Sequence, residues 1–197
     1  MGVQAFPGDD GGGECAVPVV HRFRVPANGN GVFWYSFDYS PFLHVIMLSS
    51  EHHLAPGSAQ HRWLIKDLER VRGGAGPGVP WVVVTLHRML YTTQLCEEAD
   101  HTNSLLLRKQ LESALRKYRV NLVLVGHQHS FERSCAVYDG VCVADSSRGT
   151  VHATVGTAGA GIEKCGFAPP GQYGNFSIAR ANKGYARVTG VLRQLPF

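Results

Sequence analysis

The chain has 197 residues, 44% of them hydrophobic and 17% charged, with a formal charge of +4 and ten histidines outside that count. This composition is globular rather than disordered, and the length is enough to bury a core without staples. No apolar run approaches the ~20 residues that cross a bilayer, and no Lys/Arg block has the density of a nucleic-acid patch; the modest positive balance suits an anionic ligand.

Residues 1–31 are rich in glycine, proline and asparagine and read as an N-terminal loop segment; Met1–Gly13 has neither the basic nor the apolar region of a signal peptide. Val32–Tyr39 and Phe42–Leu48 are aromatic and β-branched runs around Ser40-Pro41, which predicts two adjacent strands. Ser50-Glu51-His52-His53 closes the second. Over Ser58–Val71, Trp63, Leu64, Leu68 and Val71 recur at helical spacing, and Gly73–Pro80 breaks the pattern. Trp81–Leu86 predicts a buried strand that delivers His87 at its end. Arg88–Asn103 reads as a long irregular loop carrying Cys96, Glu97, Glu98, Asp100 and His101, and Ser104–Tyr118 as an amphipathic helix with Leu107, Leu111 and Leu115 on one face. Asn121–Val125, stopped by Gly126, predicts a buried strand that delivers His127 and His129.

Further along, Cys135 and Cys142 flank an Asp139-Gly140 turn signal. A hairpin there would bring the two sulfurs within bridging distance, against the alternative of two free buried thiols. Thr150–Val155 and Tyr185–Leu192 read as strands on either side of a glycine-rich stretch, residues 156–174. Asn175-Phe176-Ser177 has the pattern of a glycosylation acceptor.

The order strand-His87, helix, strand-His127/His129 is a crossover unit, which makes the two strands parallel and puts both histidine-bearing ends at one edge. Neutral imidazole is the commonest metal-ligand side chain, and three ligands leave open positions for water and substrate. A bare His-x-His step is more often a pair of ordinary loop histidines. Convergence of two strand ends on one edge shifts the reading of His87, His127 and His129 toward metal.

Several stretches together resemble purple acid phosphatases, a branch of the calcineurin-like metallophosphoesterases. They are Gly12-Gly13-Glu14-Cys15, Trp34-Tyr35-Ser36-Phe37-Asp38-Tyr39, Ser50-Glu51-His52, the step from His87-Arg88 to Tyr91, Gly126-His127-Gln128-His129 and the tail Gly184-Tyr185-Ala186-Arg187-Val188. The resemblance covers nearly the whole chain in the family's order. It implies an α/β fold, the C-terminal half of an αββα metallophosphoesterase sandwich with mixed sheets. Residues 32–148 would form that half domain, and residues 149–197 the family's C-terminal segment.

The family's dinuclear centre pairs iron with zinc, manganese or iron and hydrolyses phosphate monoesters. By resemblance, His87 and His127 would bind the divalent metal and His129 the iron. His101 and Glu97 lie in the loop where relatives place substrate-facing groups, with a solvated loop as the competing reading. The family also implies secretion or a lysosomal or vacuolar acidic compartment.

The family's upstream motifs Gly-Asp-x-Gly, Gly-Asp-x-x-Tyr and Gly-Asn-His-Glu/Asp are not found ahead of Gly12-Gly13-Glu14-Cys15. The resemblance therefore implies a C-terminal part with an incomplete metal centre, an unpaired sheet edge and exposed apolar surface. A non-catalytic metallophosphoesterase remnant or regulatory fragment is the alternative function. A single-zinc hydrolase using His87, His127 and His129, with Glu97 pressed into service as base, is a third.

Overall fold

A computed structural model describes residues 17–73, 79–159, 161, 164–181 and 186–189. A short helix, α1 (Val17–Arg22), precedes β1 (Tyr35–Ser40) and β2 (Leu43–Met47), which form the expected antiparallel pair with Tyr35 opposite Met47. Helix α2 (Ala59–Arg72) begins where Ser58 caps it, its side chain accepting from the His61 amide. It leads to β3 (Trp81–Leu86). Helix α3 (Glu98–Lys117) leads to β4 (Leu122–Val125), and β5 (Phe131–Tyr138), β6 (Val141–Cys142), β7 (Thr150–Val155) and β8 (Ser177–Ala181) complete the order.

The strands make one eight-stranded mixed sheet in the order β1-β2-β3-β4-β7-β5-β6, with β8 also on β5. β2, β3, β4 and β7 run parallel; β1, β5 and β8 are antiparallel to the strands they join. The α3 crossover makes β3 and β4 parallel, with Leu86 opposite Val125, so both histidine-bearing ends share one edge.

Alternation decides which face carries the helices. Ile46, Val82, Val84 and Val123 are fully buried against Leu64 and Leu68 of α2 and Leu111 and Leu115 of α3. On the opposite face Leu43, Val83, Leu122 and Leu124 are only half-buried and line a broad open groove with Phe42 and Val188.

Four sequence expectations change. Within residues 1–31, which read as loop, Val17–Arg22 forms the short helix α1. Helix α3 starts at Glu98, so Asp100 and His101 sit in its first turns instead of in a loop. The first turn is polar and its apolar spacing starts later, but Glu98 and Asp100 complement the positive end of the helix dipole. A strand at Ser177–Ala181 pairs with β5 where none was read from the pattern. Of the expected strand Tyr185–Leu192, residues 186–189 carry no regular structure and the rest lie outside the described residues.

The Cys135–Cys142 disulfide forms, with its Cα atoms 5.7 Å apart across the β5–β6 hairpin. Asp139 and Gly140 both take positive φ (50° and 75°), the turn an Asp-Gly loop selects because its twist matches that of the strands. A second disulfide joins Cys96 and Cys165. Cys15 lies outside the described residues.

Candidate metal centre

The site begins where β3 and β4 end side by side. The Gly126 amide donates to the His87 carbonyl at 3.0 Å, extending the parallel pairing one step past the strands. The chain then turns through a left-handed conformation at His127 itself (φ 64°), not at Gly126. A Cβ on residue 126 would lie 3.9 Å from His87 Nδ1, in ordinary van der Waals contact with that ring.

This turn aims the His127 ring at His87, and His127 Nδ1 lies 3.1 Å from His87 Nε2 with the ring planes 75° apart. Two nitrogens each ~2.1 Å from one ion at right-angled to tetrahedral geometry are separated by roughly 3.0–3.4 Å. The observed approach falls in that window. Burial, reinforced by the neighbouring His127, holds the His87 imidazole below its ordinary value, which favours the neutral, ligating form. His129 points elsewhere: its Nδ1 lies 2.8 Å from the Gly161 carbonyl, which can only accept, so Nδ1 carries the proton and Nε2 presents a lone pair.

A polar frame surrounds the pair. Asp100, 3% exposed, has Oδ1 3.0 Å from His127 Nε2 and accepts from the Gln128 amide through Oδ2 at 3.2 Å. Burial alone would raise the Asp100 carboxyl, but the hydrogen bond and charge of His127, then Gln128 and Arg88, outweigh it and hold it below the ordinary carboxylate value. Arg88 Nη1 lies 3.2 Å from His127 Nε2 and 3.7 Å from Asp100 Oδ1, while its Nε donates to Glu51 at 2.9 Å. Ser50 Oγ accepts from the Arg88 amide and donates to Glu51. The His52 ring rests against Phe33 and Trp34. Stretches that are distant in sequence, Trp34, Ser50-Glu51-His52, His87-Arg88 and His127-Gln128, thus form one continuous frame.

Of the substrate-loop candidates, Glu97 is exposed at the N-cap of α3, with a carboxylate oxygen within 4.8 Å of ligand atoms of both Asp100 and His127. His101 is turned away; its Nε2 lies 2.8 Å from the Gln94 carbonyl and its ring stacks on Tyr173 at 3.6 Å. Sequence reasoning passed over Asp100, which occurs in the run Glu97-Glu98-Ala99-Asp100 and looks there like one more solvated acid. The spacing that singles it out is helical, and the polar first turn of α3 reads as loop in the sequence.

No family model matches the chain. "Probable inactive purple acid phosphatase 1" of Arabidopsis thaliana is 30% identical over 196 residues, which cover 94% of this chain and 31% of that protein. The structure of the purple acid phosphatase PPD1 from yellow lupin seeds superposes with a TM-score of 0.70 at 28% identity, over 92% of this chain and 32% of that one. The chain belongs to the purple acid phosphatase family. Its mixed sheet and flanking helices match the C-terminal domain fold of these phosphatases.

Another relative, a barley "Nucleotide pyrophosphatase/phosphodiesterase", is 32% identical over 76% of this chain and 41% of its own length. The chain therefore spans about a third of the purple acid phosphatases it matches. A structure of PhoD at 12% identity and a TM-score of 0.57 shares the fold alone. Among the described residues, no helix is long and apolar enough to cross a membrane.

In this purple acid phosphatase relative the loop bearing Glu97 is tied down from outside the sheet. Beside the Cys96–Cys165 disulfide, Leu95 N donates to Gly166 O at 3.1 Å and Ala168 N to Thr93 O at 2.7 Å. Gly156, where β7 ends, is required by close approach: a Cβ there would lie 1.8 Å from the Gln128 carbonyl oxygen, between His127 and His129.

Proposed function

We propose that this chain carries the histidine side of a purple acid phosphatase-type dinuclear centre that hydrolyses phosphate monoesters, with His87 and His127 sharing the divalent ion and His129 facing the iron. The observation that carries this reading is the 3.1 Å approach of His127 Nδ1 to His87 Nε2, the separation two imidazoles adopt on one ion. The donor set fits: one ring is held neutral by burial, and another is fixed by a backbone carbonyl so that its second nitrogen points outward.

Ions of this kind, when bound, polarise the phosphoryl group and supply a nucleophile for in-line attack. The chain's own residues orient the rings. Asp100 holds His127, Glu51 holds Arg88, and Gly161 holds His129. Glu97, exposed beside Asp100, is the side chain best placed to meet a substrate group or its water.

A bridging carboxylate is not supplied by the family motifs in these 197 residues, and without one two ions are not held at the ~3.5–4 Å spacing of two-metal phosphoryl transfer. The 197-residue polypeptide by itself therefore binds metal weakly and turns over phosphate monoesters negligibly. A non-catalytic reading is favoured by the relatives described as "Probable inactive", among them the purple acid phosphatases numbered 1, 24 and 27 of Arabidopsis. The two disulfides accord with an oxidising, secreted or vacuolar-type compartment.

The test measures metal content per chain after identical dialysis, and turnover of a chromogenic phosphate ester at acidic pH with iron plus zinc or manganese. His127→Ala should lose most of the divalent ion. Equal stoichiometry in wild type and variant overturns the shared-ion assignment. Turnover comparable with an intact family member, abolished by His127→Ala, overturns the expectation of inactivity.

A further inference from the structure

Resting on the reading that His87 and His127 share one ion, we infer that Asp100 is the positioning residue that makes His127 a ligand, by choosing which ring nitrogen carries the proton. His127 offers Nδ1 to His87 and Nε2 to Asp100, at 3.1 and 3.0 Å. A neutral imidazole bears one proton, and only a nitrogen without it can bind metal. Two groups compete for Nε2. The Asp100 carboxylate can only accept, which requires the proton on Nε2 and leaves Nδ1 bare toward His87. The Arg88 guanidinium, 3.2 Å from the same nitrogen, can only donate, which would require a bare Nε2 and a proton on Nδ1, aimed at the ion's place.

The frame decides between them. Asp100 is buried in the first turn of α3, where the helix dipole favours its charge, and its second oxygen is fixed by Gln128 Nε2. Gln128 is itself held by Thr92, whose hydroxyl donates to its Oε1 at 2.6 Å. Arg88 is drawn the other way by Glu51 at 2.9 Å. The carboxylate thus keeps Nε2–H, and Nδ1 faces His87 as a lone pair. A direct role for Asp100 as ligand is disfavoured because Arg88 Nη1 occupies the space beside Asp100 Oδ1 and His127 Nε2 where an ion would sit.

The experiment is nitrogen-15 NMR of the imidazoles in the metal-free 197-residue protein at pH 8, with His127 assigned by its absence in His127→Ala, together with zinc titration. Wild-type His127 should show the proton on Nε2. In Asp100→Asn, Arg88 gains the nitrogen, the proton moves to Nδ1, and zinc affinity falls roughly 10–100-fold, the usual effect of losing the partner behind a ligating histidine. A wild-type ring already protonated on Nδ1 overturns the proposal, and that measurement needs no variant to fold. So does an unchanged zinc affinity in a folded Asp100→Asn protein. Glu97→Gln touches the same cluster without touching the His127 proton; a loss of zinc equal to that of Asp100→Asn would make Asp100 a ligand and overturn positioning. Failure of the wild type to bind zinc sinks the shared-ion reading instead, while the tautomer still judges Asp100.

Discussion

His152 gives the fold a built-in sensitivity to acid. It lies in β7 on the side facing α3, 5% exposed, with its ring 4.8 Å from that of Tyr91 and, among the described residues, no hydrogen-bond partner for either ring nitrogen. Among the described residues no carboxylate pairs with it. Arg108 lies over the Tyr91 ring at 4.4 Å, and the Glu112 carboxylate is engaged by a hydrogen bond that the Tyr91 hydroxyl donates. Burial, and then the Arg108 charge, push the His152 imidazole from 6.5 down to about 3.

A histidine whose folded value is depressed leaves stability intact above its unfolded value and erodes it as pH falls toward the folded one. Between pH 7.5 and pH 5 the folded ring stays neutral while the unfolded ring gains its proton, which costs about 2 kcal/mol at ~1.4 kcal/mol per pH unit below 6.5. His152→Leu keeps an apolar contact with Tyr91 and removes the titration. Urea unfolding of both proteins at pH 7.5 and pH 5, disulfides intact, gives the difference of differences, in which all other titrations cancel. The wild type should lose about 2 kcal/mol more than His152→Leu over that interval. Equal losses would refute the assignment of a neutral, unpartnered ring.

Two further predictions concern covalent and steric constraints. Replacing both Cys135 and Cys142 by serine releases a hairpin closed by residues 7 apart in sequence; the loop entropy is worth about 2.5 kcal/mol, readable by urea unfolding, and non-reducing peptide mapping of the wild type should recover the two peptides linked. Finding both thiols free would contradict it. Gly156→Ala drives a methyl group into the Gln128 carbonyl, so we expect about 1–3 kcal/mol of destabilisation and weakened zinc binding through the displaced His127–His129 loop; Gly161→Ala, where a Cβ meets nothing within 4 Å, should leave the melting temperature unchanged, and equal behaviour of the two variants would contradict the close approach.

What the sequence determined by itself were the features written in short-range patterns. Trp81–Leu86 and Thr150–Val155 are strands with the boundaries their β-branched runs suggest, because a buried strand announces itself as an unbroken apolar run. The Asp139-Gly140 turn marked the hairpin, because the required positive φ values belong to those two residues, while the choice between a Cys135–Cys142 bridge and two free thiols stayed open until the structure joined the sulfurs. The crossover order was enough to bring the residues that follow β3 and β4 to one edge.

Tertiary structure decided everything that depends on which polar group meets which. Asp100 is buried by pairing with His127 and Gln128, not by hydrophobicity, so no apolar spacing marks it or the helical turn that carries it. His101, adjacent in sequence, takes a different direction from the same turn and stacks on Tyr173. The partner of Cys96, 69 residues away, could not be read from spacing. Nor could the side of His127 that faces His87: that depends on a left-handed φ at one residue and on the competition of one carboxylate and one guanidinium for a single ring nitrogen.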